Sequence, residues 1–151
     1  IKMATRSNII IKQGRNKIYL YRHWDGYPSE TGRDLLTRLL ESRRHDEGQA
    51  FLSNLIRANR EDWEGKPLYE LTDQIHGDIE YLYQFEFGAM EWGKSGLKKV
   101  KAYKVNLDGK KKLICETPKF VDAIDHYNEF IKGEFKKDNP HKFNIDSRRV
   151  S

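Results

Sequence analysis

The chain has 151 residues, enough for one domain, and Leu, Ile, Val and Phe supply 36 of them, above the level below which highly charged chains tend to stay disordered. No stretch approaches the roughly 20 apolar residues of a membrane span, and the longest early apolar run, Ile9-Ile10-Ile11, is too short for a signal-peptide core. The net charge of +5 is unevenly placed, because residues 94–112 hold eight lysines against one aspartate whereas residues 1–93 are net negative; that distribution argues against an acidic DNA mimic.

Residues 5–12 read as a strand, Gln13-Gly14-Arg15-Asn16 as a turn, and residues 17–21 as the partner strand of a hairpin. Residues 22–32 hold Gly26, Pro28 and Gly32 and predict a structured loop. From Arg33 the spacing becomes helical, with Leu35, Leu36, Leu39 and Leu40 on one face. A second amphipathic stretch follows a break at residues 45–48 and carries Phe51, Leu52, Leu55 and Ile56, so a helical pair is expected.

Residues 63–77 have punctuation but no clear period. Residues 79–87 then alternate, with Ile79, Tyr81, Tyr83, Phe85 and Phe87 predicted to share one apolar face and Glu80, Leu82, Gln84 and Glu86 a mostly polar one. Residues 97–105 and 111–116 form a predicted hairpin about the turn Asn106-Leu107-Asp108-Gly109. Thr117-Pro118 offers an N-cap and a proline at the first helical position, and Phe120, Ile124, Tyr127 and Ile131 recur at helical spacing to about Phe135. The expectation is one α+β domain over residues 3–135. Its antiparallel sheet has about five strands, in the order hairpin, helical pair, three-strand meander, C-terminal helix, with the helices on one face. Residues 136–151 are expected to be a basic, flexible tail, and Met3 the initiator.

Three stretches could carry chemistry. Tyr21-Arg22-His23-Trp24-Asp25-Gly26-Tyr27-Pro28 packs an imidazole, a carboxylate, a guanidinium and three aromatic rings around a glycine turn at a strand end, which is how binding loops are rooted. The plainer reading makes Asp25-Gly26 a turn and Trp24 and Tyr27 anchors in the core. His76-Gly77-Asp78 repeats the His-x-Asp spacing of His23 and Asp25. Two such pairs suit proton transfer or metal ligation if they converge, although no His-Glu-x-x-His or paired cysteines support zinc. Tyr21, His23, Trp24, Asp25, Tyr27, His76 and Asp78 are therefore the candidate ligand-binding residues, with no catalytic residue, metal ligand or cofactor assigned.

The third stretch is the lysine hairpin of Lys94, Lys98, Lys99, Lys101, Lys104, Lys110, Lys111 and Lys112. Lys99 and Lys101 share a strand face with Tyr103, and Lys98 and Lys104 point the other way. Such a ribbon suits phosphates and sequence-blind nucleic-acid binding, with Tyr103 and Trp92 available for stacking. Equally, lysines guard an exposed edge hairpin against aggregation. The phosphate-loop, dinucleotide and nucleophile-elbow patterns are absent. The single Cys115 lies in an apolar strand and cannot form an internal disulfide, so a cytoplasmic protein is expected, with no membrane association.

Met3-Ala4-Thr5-Arg6, followed by Ile18-Tyr19-Leu20-Tyr21-Arg22-His23-Trp24-Asp25-Gly26-Tyr27-Pro28, resembles the opening of a set of small proteins from phages, plasmids and bacteria. Gly77-Asp78-Ile79-Glu80-Tyr81-Leu82-Tyr83 resembles their second recurring segment. The likeness covers about a third of the chain and leaves the helical pair and lysine hairpin unmatched. It implies an accessory protein of mobile elements, working in the host cytoplasm. The function it implies is non-catalytic binding of a host protein, a nucleoprotein or a nucleotide, as in antagonists of host defence such as anti-CRISPR proteins. Two alternatives follow from the residues: a metal- or His/Asp-dependent enzyme on a nucleotide or other phosphate-containing substrate, and a nucleic-acid-binding module using the hairpin at 94–112. The sequence leaves the oligomeric state open.

Overall fold

A computed structural model of the chain describes residues 4–41, 48–88, 96–118 and 123–140. Six strands and three helices follow in the order β1 (Ser7–Gln13), β2 (Asn16–Arg22), α1 (Arg33–Glu41), α2 (Gly48–Ala58), β3 (Glu70–Thr72), β4 (Tyr81–Phe87), β5 (Leu97–Val105), β6 (Lys111–Glu116) and α3 (Ala123–Asp138). A single π-helical turn, Pro28–Gly32, leads straight into α1. The class is α+β, with one sheet in the order β3-β2-β1-β4-β5-β6.

The sheet is mixed, not purely antiparallel, because β4 runs parallel to β1, with Ile9 beside Tyr83 and Ile11 beside Phe85. Every other neighbouring pair is antiparallel. The parallel pair arises because the chain leaves β2, passes through both helices, and adds β3 to the sheet edge before returning to the centre. Parallel neighbours need a long crossover of this kind. The three-residue β3 was not expected from the sequence; a strand that short has no alternation to read.

One face of the sheet carries the main core. Ile9, Ile11, Leu20, Tyr83, Phe85, Phe87, Val100 and Ala102 meet Leu35, Leu36 and Leu39 of α1, Phe51 and Leu55 of α2, and Tyr127 and Ile131 of α3. The helical faces are narrower than their spacing predicts, since Leu40 and Ile56 are exposed. Thr117 Oγ1 accepts the Val100 N–H at 2.9 Å, and the first turn that it was expected to cap, at 119–122 with Phe120, lies outside the described residues. At its other end α3 runs three residues past the expected limit, and Asp138 accepts a hydrogen bond from the Ser29 hydroxyl.

The opposite face holds a second, smaller cluster of Ile10, Tyr21, Ile79 and Leu82, flanked by Tyr19, Tyr103 and Val105, with no helical residue in it. Ile79 belongs here and not with Tyr83, because the strand begins only at Tyr81. The segment from β3 to β4 crosses this face. The His76 N–H donates to Oδ1 of the buried Asn8, whose Nδ2 donates to the Leu20 carbonyl. Among the described residues no helix is long and apolar enough to cross a membrane.

Candidate functional site

The loop from Tyr21 to Pro28 is fixed at each step. Arg22 leaves the end of β2 toward the helical face, where it is buried 3.6 Å from the Asp34 carboxylate of α1 and donates to the Tyr69 hydroxyl and the Trp24 carbonyl. Asp25 takes a left-handed conformation at φ 55°, and its carbonyl accepts from Oγ1 of Thr31 at 2.7 Å. The Gly26 N–H donates to the Thr5 carbonyl at 2.8 Å, and its own carbonyl accepts from Tyr83 at 2.6 Å. A Cβ at position 26 would stand 2.7 Å from the Thr5 oxygen, so the close approach requires glycine. Trp24 is buried and packs against the exposed Trp63, ring centroids 5.0 Å apart.

On the side of the second cluster, the two His-x-Asp stretches meet around Tyr21. Its hydroxyl stands 3.1 Å from Nδ1 of His23 and 3.5 Å from Oδ2 of Asp78, and its ring stacks on His76 at 4.0 Å. Arg6 closes the group, with Nε 3.4 Å from His23 Nδ1 and 3.2 Å from Asp78 Oδ2. Burial and the neighbouring Asp78 push the Tyr21 hydroxyl up to about 12, against the opposing pull of Arg6. Asp25 does not join: it hydrogen-bonds the Tyr27 hydroxyl. Three of the four His-x-Asp side chains thus converge. Among the described residues no group of three or more His, Cys, Asp or Glu side chains is arranged to hold a metal ion.

On the other side of the loop lies an open cleft of about 650 Å³. Thr5, Tyr27, Pro28, Glu80 and Tyr81 line it, together with Lys104 to Leu107 of the lysine hairpin and Glu134 and Asp138 of α3. Burial raises the Tyr27 and Tyr81 hydroxyls, and carboxylates around them add to it: Asp25, Glu30 and Asp138 at Tyr27, and Glu134, Asp138 and Glu80 at Tyr81. Glu134 pairs with Lys137 at 3.5 Å. Among the described residues three carboxylates against one lysine make the lining acidic.

The lysines of the hairpin do not form one surface. The sheet register puts Lys99, Lys101 and Lys111 on the face away from the helices, with Tyr103, and Lys104 and Lys112 on the helical side. Lys98 sits at a bulge in β5 and Lys110 in the turn, whereas Lys94 and Trp92 lie outside the described residues. Lys99 pairs with Glu116 at 3.1 Å and Lys101 with Glu86 at 3.5 Å. Cys115 is half-buried, and burial followed by Glu116 raises its thiol to about 11, so it is a poor nucleophile at neutral pH.

Sequence reasoning missed Arg6, Glu134 and Asp138. Arg6 lies inside the opening segment already singled out, but nothing in a single sequence pairs it with Asp78. The two α3 carboxylates read as ordinary solvated helix charges until α3 is packed against the loop. No protein-family model, curated protein or solved structure matches the chain.

Proposed function

We propose that the protein is a non-catalytic binding protein of phage or mobile-element type, and that it seats a basic side chain of a host protein in the cleft beside Tyr27 and Tyr81. One observation carries this reading. The three separate sequence stretches singled out above, at Thr5, at Tyr27-Pro28 and at Glu80-Tyr81, supply neighbouring walls of a single cleft. Its chemistry suits a guanidinium or ammonium, which tyrosine faces and carboxylates both attract. Antagonism of a host defence system, such as a CRISPR effector, is the role that the resemblance adds to this reading.

The test is calorimetry on the full chain with an oligo-arginine peptide and an oligo-glutamate peptide of equal length. The arginine peptide is expected to bind and the glutamate peptide not. Replacing Glu80 and Glu134 together by Lys is expected to weaken binding about tenfold or more, since each lost charged contact is worth about 1.5–3 kcal/mol before solvent screening. Equal binding of both peptides, or an unchanged affinity in the double variant, would remove the proposal.

The convergence of His23, His76 and Asp78 on Tyr21 keeps the second reading, an acid–base enzyme on a phosphate ester, open to experiment. A chromogenic phosphodiester turned over by the native chain, and not by a His23→Ala variant of equal helicity, would favour it over simple binding.

A further inference from the structure

We infer that the face of the sheet turned away from the helices binds single-stranded nucleic acid, and that its basic side chains come from both hairpins. The register sets them out in rows. Lys17 of β2 lies beside Lys12 of β1, which neighbours Glu86 of β4, and Glu86 neighbours Lys99 of β5. The next row runs Tyr19, Ile10, Gln84 and Lys101, and the third Tyr21, Asn8, Leu82 and Tyr103. Lys111 of β6 adds an ammonium 5.4 Å from the centre of the Tyr103 ring.

Among the described residues five lysines and Arg6 therefore share this face with four carboxylates, Glu70, Asp78, Glu86 and Glu116. Glu86 and Glu116 are already paired with lysines, and Asp78 with Arg6. Burial alone would raise the Glu86 carboxyl, but the Gln84 amide and the Lys101 and Lys12 ammoniums hold it below the ordinary carboxylate value. The surplus is positive, and Lys17 and Lys111 are exposed.

Between the lysines stand Tyr19 and Tyr103, half-buried on an apolar floor of Ile10 and Leu82. Aromatic rings between ammoniums, beside the part of this face that the β3–β4 segment crosses, are a platform on which unpaired bases stack while phosphates meet the lysines. Duplex DNA is served less well, because groove reading needs a protruding helix or ribbon. This surface lies across the sheet from the acidic cleft, so the two proposals stand or fall separately.

The experiment is fluorescence anisotropy of the full chain with labelled oligo-U and oligo-dT strands of about twelve nucleotides, and with a duplex of equal length. Both single strands are expected to bind more tightly than the duplex. Affinity is expected to fall about tenfold or more between about 50 and 200 mM salt, which corresponds to about three released counterions. Preference for oligo-U over oligo-dT would assign RNA, and the reverse DNA.

Lys12→Glu with Lys17→Glu should abolish binding, and Tyr103→Leu should weaken it about fivefold or more, at the lower end of base-stacking energies. Lys132→Glu with Lys136→Glu makes the same change in net charge on α3, on the helical side of the sheet, and should leave affinity within about twofold. The proposal is overturned if no strand binds at low salt, if the duplex binds as well as the single strands, or if the two double-lysine variants lose affinity equally. Circular dichroism of each variant separates a lost surface from a lost fold.

Discussion

Gly26 shows how one atom can hold a site in place. The backbone of Thr5 passes so close that any side chain at position 26 collides with the Thr5 carbonyl and the Ser7 Cβ. Neither contact is the free end of a flexible chain, so relief requires moving β1 or the loop. Gly26→Ala is expected to cost about 1–3 kcal/mol, the usual range for overpacking a close contact, read as a lower urea midpoint. A loss below a few tenths of a kcal/mol would show that the loop is not fixed there. Arg22 has the opposite vulnerability. It is buried, and Asp34 is the carboxylate that offsets its desolvation. Asp34→Ala leaves the buried guanidinium without its carboxylate and is expected to destabilise by about 3–5 kcal/mol. Arg60 and Arg38 also approach Asp34, at 3.7 and 3.6 Å, so the variant leaves a cluster of unbalanced positive charge. Urea melts of the Asp34→Ala protein test this, and a loss under about 1 kcal/mol would mean that water reaches Arg22.

Between elements, the decisive joint is the segment from β3 to β4. It is held on the second face by Ile79 in the small cluster, by the stack of His76 on Tyr21, and by the bond from His76 N–H to Asn8. Asn8 is fully buried and serves two elements at once. Asn8→Ala leaves the His76 N–H without its acceptor, which is expected to cost about 1–3 kcal/mol. Hydrogen exchange should show the loss as faster exchange at His76 and Ile79, with the α1–α2 amides unchanged; uniform acceleration across the chain would refute a local role. The same joint explains what the sequence could and could not reveal. Strands with clear alternation, such as Tyr81–Phe87, and turns with a left-handed glycine, such as the one at Gly109, are written locally and were legible. The parallel partnership of β1 and β4 is a long-range fact with no local signature. For the site, the two His-x-Asp stretches were legible as residues, but their meeting at Tyr21 depends on this crossover. Asp25 parted from the group because its own left-handed backbone turns it toward Tyr27.

At the scale of the whole molecule, the buried hydroxyls set an alkaline limit on stability. Tyr83 and Tyr127 are fully buried in the main core, and burial pushes both phenols well above their ordinary value. Burial raises Tyr69 as well, against the opposing charge of Arg22. Tyr21 is raised to about 12, and the Cys115 thiol to about 11. Unfolding returns these groups to about 10 for the phenols and about 9 for the thiol. Above those values the unfolded chain has released protons that the native chain still holds, so stability must fall as pH rises. The contribution is intact below pH 9. It begins to drain there through Cys115, drains faster above pH 10 as the phenols of the unfolded chain ionise, and is spent only beyond the raised native values. The expected result is a urea midpoint constant from pH 7 to about pH 9 and falling steeply by about pH 11. Because Tyr83 also anchors β4 to the Gly26 carbonyl and Tyr127 anchors α3 to the Gly32 carbonyl, tyrosinate absorbance from these two should appear only together with loss of the near-ultraviolet dichroism of the core. Tyrosinate formed by all the phenols while that dichroism persists would show that the core admits hydroxide without unfolding, and would refute the linkage.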